Sequence, residues 1–506
     1  MALSSIAMAV LLVVSFGFFF HHARRLYRYM HLAGPIERSD RVGARIAGVA
    51  SFVLGQRRLF KDPLPGLMHC TIFWGFLILT VGTLELFVIG LHESWDFSWL
   101  GPLYGPLYLA QDLLAALVAV AIVYAVFRRL VLRPRRLESL AADAKRDGLF
   151  ILGLIFFLMV TILTTRGAAI ALGAPEGPGT AWQPFSTLCA PLMRAVFGNA
   201  LAIAYPVSWW LHVLLVLGFL CYLPFSKHLH IVAAAPNVYF RNLEPTGRLT
   251  KLDLEDESIE HFGANQLAHF TWRDVLDGYA CTECGRCTDV CPANHTGKPL
   301  DPRKIVHDIR VYAMDRGRAV PGNGATTGHG DGGGGNGAAA GDGDAGDAGD
   351  DPGIINHYTT TEELWACTTC GACVEACPVL IEHVQKIVDM RRHLVLMEGS
   401  FPGEAEPAMR GFETNSNPWN IPAEQRMDWA EGLDVPLIAD HPDAEYLYYV
   451  GCAASFDDRN KKVARAMVRL LETAGVSYAV LGTEETCNGE CARRIGNEYV
   501  AQEMMA

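Results

Sequence analysis

The chain has 506 residues, which corresponds to roughly three domains of about 150 residues each. Hydrophobic residues make up 51% of it and charged residues 19%, and the mean hydropathy of +0.19 is too high for a purely soluble protein of this size. The net charge of -12 disfavours binding to nucleic acid. Eight of the 14 cysteines lie between Cys281 and Cys377, mostly at gaps of two or three residues, which suits metal binding better than disulfides. The composition therefore predicts a metal-rich membrane protein.

Five apolar runs approach the roughly 20 residues that a helix needs to cross a bilayer. They lie near residues 4–20, 64–91, 103–127, 148–172 and 202–225. The first run could instead be a signal peptide, but its basic residues follow the apolar stretch, so we expect an uncleaved anchor. The sequence thus predicts a five-helix transmembrane bundle, a cytochrome b-like membrane domain, over residues 1–240.

Basic residues are concentrated in the loops after the first and third runs, whereas the loops at residues 92–101 and 173–201 carry few of them. Because basic loops remain in the cytoplasm, we expect the N-terminus outside the cell and everything after Phe225 inside it. The predicted location is the cell inner (plasma) membrane, with several spans.

Histidines at the ends of these runs are candidate ligands, because such residues are costly in a membrane unless they bind something. His69 opens the second run, and His228 and His230 close the fifth on the same side. Two imidazoles at one depth can hold a haem iron from both faces, and no Cys-x-x-Cys-His motif is present for covalent attachment. We expect a b-type haem on His69 and His230, with His228 as the alternative ligand and interfacial anchoring as the alternative role.

Three more polar residues fall in the outer half of the predicted bundle. His212 lies 18 residues before His230, and a second haem there stays open because the second run has no histidine at the matching depth. Glu85 and Arg166 fall in the same half, where charges pair or line a site. The alternatives are a quinone pocket or haem-propionate contact formed by Glu85, Arg166 and His212, and a structural Glu85–Arg166 ion pair.

The strongest signal is a pair of runs that both read C-x2-C-x2-C-x3-C-P. They are Cys281-Thr-Glu-Cys284-Gly-Arg-Cys287-Thr-Asp-Val-Cys291-Pro292 and Cys367-Thr-Thr-Cys370-Gly-Ala-Cys373-Val-Glu-Ala-Cys377-Pro378. Zinc sites also use C-x2-C pairs, but they need neither a third cysteine at this spacing nor the final Cys-Pro. This spacing is typical of two-cluster ferredoxins, in which the fourth cysteine ligates the other cluster. The predicted [4Fe-4S] ligand sets are Cys281, Cys284, Cys287 and Cys377 for one cluster, and Cys367, Cys370, Cys373 and Cys291 for the other.

Residues 320–353, between the two runs, are almost all Gly, Ala, Asp, Asn and Thr, a composition that predicts a disordered linker. Such an insertion still lets the flanking motifs fold together, because each doubling of a flexible loop costs only about 0.6 kcal/mol. We therefore expect an α-helical two-cluster ferredoxin-type domain over residues 241–397.

Residues 398–506 are predicted to be a linker followed by a small α/β domain. Strand-like and helical patterns alternate from Tyr446 to Met504. Cys452 ends the first strand-like segment and Cys487 follows the second, so both could meet at one sheet edge. They are either ligands of a further iron–sulfur cluster or unligated thiols, and Cys491 is a weaker candidate.

Taken together, these motifs resemble a known family. The resemblance rests on both ferredoxin motifs and on Met-His69-Cys-Thr-Ile-Phe-Trp-Gly-Phe, Pro224-Phe-Ser-Lys-His228-Leu-His230, Gly451-Cys452-Ala-Ala-Ser and Glu485-Thr-Cys487-Asn-Gly-Glu-Cys491. The order resembles heterodisulfide-reductase-like proteins, with a part similar to the nitrate reductase gamma subunit, then a ferredoxin domain, then a CCG cysteine-rich domain. It is most similar to bacterial electron-transfer-flavoprotein:menaquinone oxidoreductases. That resemblance implies electron flow from reduced electron-transfer flavoprotein through the clusters and haem to menaquinone.

Two departures from the family pattern concern the CCG domain. Asn488 stands where the family usually has a second cysteine, although the flavoprotein-linked branch is similar in tolerating Asn. The family also continues with a Cys-Pro-x-Cys element and a second CCG repeat, so we expect this chain to be a truncated copy. A complete CCG site is not expected from Cys452, Cys487 and Cys491 alone.

Three functions follow as hypotheses. The first is an oxidoreductase that links electron-transfer flavoprotein to the quinone pool. The second is an oxidoreductase of the same architecture with another electron donor. That donor would be a heterodisulfide or dithiol system, or a dehydrogenase acting on a 2-hydroxy acid or on glycerol 3-phosphate. The third is a non-enzymatic redox sensor or electron relay, which needs no histidine pair in the membrane.

Overall fold

The structure is a computed structural model that describes residues 2–320 and 351–505. Five of its helices are long and apolar enough to cross a membrane: Leu3–Met30, Pro63–Leu91, Ser98–Leu132, Ala142–Ala171 and Pro184–Phe225. The predicted five-helix membrane part is therefore present. The fifth membrane segment begins at Pro184 and not at the predicted residue 202, because a further helix lies in the region that the sequence predicts to be a loop. Most of the predicted linker, residues 321–350, lies outside the described residues.

The N-terminal half contains nine α-helices among the described residues. They are α1 (Ala2–Met30), α2 (Val42–Gly48), α3 (Pro63–Leu91), α4 (Tyr104–Phe127), α5 (Arg135–Glu138), α6 (Ala142–Ala171), α7 (Pro184–Phe197), α8 (Leu201–Tyr222) and α9 (His230–Tyr239). Two π-helical turns, Val49–Leu54 and Arg128–Leu132, continue α2 and α4.

The remaining described chain is made of shorter elements. They are α10 (Trp272–Ala280), α11 (Arg286–Asp289), α12 (Pro292–His295), α13 (Pro302–Ala319), α14 (Thr361–Trp365), α15 (Ala372–Ala376), α16 (His383–Arg392), α17 (Glu406–Asn415), β1 (Tyr446–Leu447), α18 (Cys452–Phe456), α19 (Asp458–Thr473), β2 (Tyr478–Ala479), α20 (Glu490–Ile495) and α21 (Glu498–Met505). A π-helical turn, His393–Met397, continues α16. The two strands pair in parallel, with Tyr446 opposite Tyr478 and Leu447 opposite Ala479.

The chain divides into two compact units. The first unit comprises Met1–Leu243, Phe270–Ile354 and Gly371–His383, and the second comprises Glu244–His269, Ile355–Cys370 and Val384–Ala506. The membrane helices and the whole first cysteine motif thus belong to one unit. The segment predicted as a ferredoxin-type domain contributes to both.

In the first unit, the bundle core lies between α3, α4 and α6. Leu79, Val118 and Leu158 are buried there together. A Cβ atom on Gly75 would lie 2.4 Å from a Val118 methyl, so only glycine lets α3 and α4 approach this closely.

A buried ion pair ties α9 to α10 in the first unit. Arg273 and Asp277 pair on α10, and both side chains are almost fully buried. Asn237 of α9 donates to Asp277 at 3.0 Å and accepts from Arg273 at 2.7 Å. Because every buried charge here is paired, the contact holds its geometry firmly. Since α9 begins at His230 and α10 ends just before Cys281, the contact between these two helices positions both candidate ligands, His230 and Cys281.

In the second unit, β1 and β2 with α18 and α19 form a small α/β core around Trp429, Ala464 and Val468, as the sequence predicts. Arg392 on α16 and Glu498 on α21 form a fully buried ion pair of 2.8 Å.

The second unit also holds three neighbouring histidines. The rings of His261 and His269 stack with centroids 3.6 Å apart, and His393 lies 3.0 Å from His261 through its ring nitrogens. Glu398 is 2.9 Å from the other His393 nitrogen. Burial, with the neighbouring imidazoles, lowers the pKa of His261 from 6.5 to about 4.

We expect the second unit to lose stability as the pH falls from about 6.5 to about 4. Between these values the unfolded chain binds a proton at His261 that the folded chain excludes, so stability decreases as pH decreases. Hydrogen–deuterium exchange of the segment 261–269 in the whole protein, corrected for intrinsic exchange, measures this loss. The variant His261→Phe keeps an aromatic ring and should remove the dependence. An unchanged pH dependence in this variant would contradict the assignment to His261.

Candidate functional site

The two cysteine motifs form similar loops. In the first, Glu283 and Gly285 have positive φ angles of 53° and 71°, and in the second Thr369 and Gly371 have φ angles of 55° and 73°. These turns direct backbone amides toward sulfur: the Glu283 N–H donates to Cys281 Sγ at 3.4 Å and the Thr369 N–H donates to Cys367 Sγ at 3.3 Å. Such N–H to sulfur bonds are one means by which proteins tune the potentials of iron–sulfur clusters.

The first unit brings one predicted ligand set together. Cys377, from the second motif, interacts electrostatically with Cys281, Cys284 and Cys287. Cys281 and Cys377 are buried in the same small apolar cluster, with Val306 and Ile381. The fourth cysteine of the second motif thus lies beside the first three cysteines of the first motif.

These thiols are in surroundings that disfavour a free thiolate. Burial raises the pKa of Cys281 and Cys287 well above the ordinary value and raises the pKa of Cys377 to about 12. Positive charge from bound iron is what would keep sulfur ionised in such a place. Across residues 2–320 and 351–505, no three His, Cys, Asp or Glu side chains form a group able to hold a metal ion. A cubane instead binds each thiolate at a different iron.

The other predicted set is divided between the units. Cys291 and Cys373 belong to the first unit, and Cys367 and Cys370 belong to the second. Cys291 and Cys373 are buried, whereas Cys370 is exposed. The assignment of these four residues to one cluster stays a prediction.

The loop that carries Cys377 is held by the segment just before α3. The Arg58 guanidinium donates to the carbonyl oxygens of Val374 at 2.8 Å and Cys377 at 3.0 Å. Lys61 pairs with Glu375 at 2.5 Å. In the sequence, Arg58 and Lys61 indicate only which side of the membrane their loop lies on. In the structure, they also position the predicted cluster ligand Cys377.

The histidines expected to bind haem also lie together in the first unit. His69 interacts electrostatically with His230, and His228 interacts with both. His69 Nδ1 lies 2.8 Å from the Gln56 amide oxygen, and His230 Nδ1 lies 3.1 Å from the Lys227 carbonyl oxygen. Since both oxygens can only accept, each Nδ1 carries the proton and each Nε2 keeps a free lone pair. This is the usual arrangement of a metal-binding histidine.

His228 differs from its two neighbours. Its Nδ1 atom is buried and has no hydrogen-bond partner among the described residues. Burial lowers the pKa of His228 to about 2 and also lowers the pKa of His230, so both imidazoles are neutral. Neutral imidazole is the form that binds a metal.

Arg286 lies between the histidines and the cysteines. It sits in the first motif, directly before Cys287, and its side chain is only 11% exposed. The guanidinium donates to the Leu59 carbonyl oxygen at 3.4 Å and interacts with Cys284, Cys377 and His69. The corresponding residue of the second motif is Ala372, so this positive charge belongs to one loop only.

The polar residues at the opposite end of the bundle do not form the simple ion pair considered above. Glu85 accepts from the Tyr104 hydroxyl at 2.7 Å and from the Phe97 N–H at 2.9 Å. Arg166 donates instead to the Gln111 side-chain oxygen at 2.6 Å. Within the described chain, no ion pair joins Glu85 to Arg166. His212 interacts electrostatically with Arg166.

His212 is held by α6. Its Nδ1 lies 2.8 Å from Thr161 Oγ1, and that hydroxyl donates to the Phe157 carbonyl oxygen. The hydroxyl therefore accepts from His212 Nδ1–H, and the Leu158 backbone is a further hydrogen-bond partner of the ring.

Cys452 and Cys487 meet in the second unit. Their thiols are hydrogen-bonded, and Arg426 donates to Cys452 Sγ at 3.4 Å. The hydrogen bond from Cys487, with Arg426, lowers the pKa of Cys452 to about 7. Glu485 anchors Arg426 at 2.8 Å and accepts the N–H group of Gly451, just before Cys452. The two thiols that the sequence places close together thus meet, and Cys491 interacts electrostatically with Cys487.

Comparison with known proteins explains this arrangement. Residues 273–378 match the 4Fe-4S dicluster domain, and residues 446–506 match the cysteine-rich domain called CCG. The chain is 35% identical over 492 residues to the "Probable iron-sulfur-binding oxidoreductase FadF" of Bacillus subtilis, covering 94% of this chain and 68% of that protein. It is 33% identical over 517 residues to the "EtfAB:quinone oxidoreductase" of Syntrophomonas wolfei, covering 98% and 70%. The chain belongs to this family of iron–sulfur oxidoreductases.

A third relative supports membrane attachment of the oxidoreductase. Over 265 residues the chain is 40% identical to the "Probable membrane-anchored ferredoxin" of Chromohalobacter salexigens, covering 51% of this chain and 37% of that protein. No solved structure matches the chain. Together with the five membrane-length helices, this makes the protein a membrane-bound oxidoreductase that carries iron–sulfur clusters.

Sequence reasoning missed several residues around these sites. Gln56 was missed because its role depends on a positive φ of 51°, which the sequence does not reveal in a residue other than glycine. Gln111 could have been found, because a polar amide inside an apolar run is visible in the sequence. Arg426 lies far from either cysteine along the chain, and no pattern signals its contact with Cys452.

Proposed function

We propose that this oxidoreductase transfers electrons from reduced electron-transfer flavoprotein, through two [4Fe-4S] clusters and a b-type haem, to menaquinone. The observation that carries the proposal is the arrangement in the first unit. Cys281, Cys284, Cys287 and Cys377 lie together, and Arg286 interacts with Cys284, Cys377 and His69, which is itself close to His230. The printed name of the Syntrophomonas relative supports the flavoprotein and the quinone as the two partners.

The proposed ligands fit the groups that they would hold. His69 and His230 would bind haem through Nε2, and the two cysteine sets would bind the clusters. When bound, these groups supply one-electron carriers, which suit the division of a flavin's two electrons. The chain's own residues hold the ligands: Gln56 orients His69, the Lys227 carbonyl oxygen orients His230, and Arg58 holds the Cys377 loop.

Arg286 has an electrostatic role in this proposal. A positive charge near a cluster and a haem stabilises the reduced, more negative form of each. Because Arg286 is mostly buried, solvent screens this effect only weakly. We infer that Arg286 raises the potentials of the adjacent cluster and haem relative to the second cluster, whose loop has Ala372 instead. Electrons would then be drawn toward the membrane.

The basic loops favour a cytoplasmic location for the clusters, where electron-transfer flavoprotein would dock. A quinone pocket formed with Glu85, Arg166 and His212 would lie in the outer half of the bundle. The proposal also includes two further cofactors that the sequence leaves open. They are a second haem on His212 and an iron–sulfur cluster involving Cys452 and Cys487.

Anaerobic reduction of the purified protein tests the function. We expect reduced electron-transfer flavoprotein to produce the visible band of a reduced b-type haem, and a menaquinone analogue to reoxidise it. A haem band with dithionite but none with the flavoprotein would point to another donor, such as a dithiol system. The absence of a haem band under both conditions would contradict the proposal and favour a redox relay or sensor.

Replacing Gln56 is expected to weaken haem binding. The variant Gln56→Leu removes the acceptor that fixes the tautomer of His69, and losing such an outer partner typically costs about 10- to 100-fold in affinity. Haem retention during dilution, followed by absorbance, measures the change. Gln425→Leu, a glutamine outside the first unit, is the control. Wild-type retention in Gln56→Leu would show that His69 needs no such partner.

A further inference from the structure

Two hydrogen-bond donors in the membrane part have no acceptor. The Gln111 amide nitrogen Nε2 and the Arg166 guanidinium nitrogen Nη1 are buried and make no hydrogen bond to any described residue. Gln111 is 0% exposed and Arg166 is 5% exposed. Unpaired buried donors are rare and costly, particularly when they are charged. Both nitrogens therefore call for an oxygen acceptor that the described residues do not supply.

Both donors belong to one hydrogen-bonded pair. Gln111 is on α4 and Arg166 is on α6, and Arg166 Nη2 donates to Gln111 Oε1 at 2.6 Å. Gln111 uses its amide oxygen for this bond and leaves Nε2 without a partner, while Arg166 uses Nη2 and leaves Nη1 without a partner. A Cβ atom on Gly82 of α3 would lie 2.9 Å from the Gln111 amide, so three helices confine the pair.

Arg166 also lacks a carboxylate partner among the described residues. Glu85, the nearby acid, is engaged by the Tyr104 hydroxyl and the Phe97 N–H. The Arg166 guanidinium carbon instead lies 4.4 Å from the centre of the Tyr108 ring. An unpaired cation inside a membrane bundle is expensive, so an electron-rich oxygen is the ligand that this site favours.

We propose that Gln111 Nε2 and Arg166 Nη1 bind a carbonyl oxygen of the quinone head group. This inference rests on the proposed function. It adds Gln111 and Tyr108 to the pocket that was proposed from Glu85, Arg166 and His212. A quinone enters from the lipid phase, is planar and apolar, and presents carbonyl oxygens that accept two hydrogen bonds. The Tyr108 ring, which lies under the Arg166 guanidinium, holds that side chain in place beside the proposed oxygen. Glu85, held by Tyr104, has no direct contact with the bound oxygen in this scheme.

The variants Gln111→Glu and Gln111→Leu test the site in the haem-loaded protein. Gln111→Glu keeps an acceptor for Arg166 but replaces the Nε2 donor by an oxygen, so we expect at least about tenfold weaker binding of a short-chain menaquinone analogue. Gln111→Leu should have a similar effect. Binding to the oxidised protein is measured by titration calorimetry, which needs no turnover. Thr165→Val removes a hydrogen bond to Ser208 from the neighbouring position of α6 and is the control, with unchanged affinity expected.

The outcomes separate this inference from the proposed function. Wild-type affinity in both Gln111 variants would overturn the site, even if the protein reduces quinone. Loss of haem with unchanged quinone affinity would also overturn it, because the donors would then serve a haem propionate. If the analogue binds and the Gln111 variants weaken it but flavoprotein supplies no electrons, the site stands and the proposed function fails.

Discussion

Replacing His69 by glycine is expected to remove the b-type haem and with it the reduction of quinone. The Nε2 of His69 would be one of the two protein ligands of the haem, and α3 has no other histidine among the described residues. The loss should exceed the roughly 10- to 100-fold effect typical of removing an outer-shell partner. Absorbance of the dithionite-reduced protein reports haem content, and turnover with a menaquinone analogue reports activity.

Two further variants sharpen this prediction. Adding imidazole to His69→Gly should restore part of the haem band, because the ring can occupy the space that the side chain left. His92→Ala, at the opposite end of α3, removes an exposed histidine hydrogen-bonded to Ser94 and should leave haem unchanged. A full haem band in His69→Gly without imidazole would refute the assignment.

A direct comparison of variants at His230 and His228 decides which of them would be the second haem ligand. His230→Ala should abolish haem binding, whereas His228→Ala should retain it, because only His230 has its Nδ1 fixed by a backbone carbonyl. The reverse result would make His228 the ligand and would leave the proposed electron path otherwise intact.

Replacing Cys377 by serine is expected to remove the cluster held by the first motif, and about half of the protein's iron. The structural reason is the position of Cys377 beside Cys281, Cys284 and Cys287, in a buried cluster that it shares with Val306 and Ile381. Iron content and the EPR spectrum of the dithionite-reduced protein measure the loss. Cys221→Ser, a thiol that donates to the Ser15 carbonyl oxygen within the membrane part, is the control.

Double variants distinguish crossed from uncrossed ligation. If Cys281 and Cys377 serve one cluster, Cys281→Ser combined with Cys377→Ser should remove no more iron than either change alone, because residues that act as a unit are not additive. Cys367→Ser combined with Cys377→Ser should remove both clusters. The opposite pattern would show that each motif holds its own cluster.

The parts of the fold that were predictable depend on neighbours in the chain. The five spans follow from local hydropathy, and the two cysteine loops follow from spacing that admits few backbone paths around a cubane. The α/β order around Cys452 and Cys487 was predictable for the same reason, because strand and helix periods are local. The extra helix α7 was not predicted, because its cap comes from Asp112, which accepts from the N–H groups of Phe185 and Ser186 at its start.

The sites were predictable only in part. The ligand types could be identified, since histidine at a span end and cysteine in a repeated motif have few alternative uses. The residues that orient them could not be identified. Gln56, Arg58 and Arg286 reach their partners through backbone turns and helix contacts that no periodicity encodes. The Glu85–Arg166 ion pair, one of two alternatives considered from the sequence, is absent because Tyr104 and Gln111 are better placed.

Sequence alone determined that this protein spans a membrane, carries two cysteine motifs of ferredoxin type and ends in a cysteine-rich α/β segment, because hydropathy and close spacing act over a few residues. The sequence also proposed that Cys377 joins the first motif and that His69 faces His230, but only the tertiary structure decided that Gln56, Arg58 and Arg286 hold these ligands and that Gln111 and Arg166 share unpaired donors. These meetings join residues far apart in the chain. They depend on how closely helices pack and on which buried polar groups find partners, which are properties of the folded core.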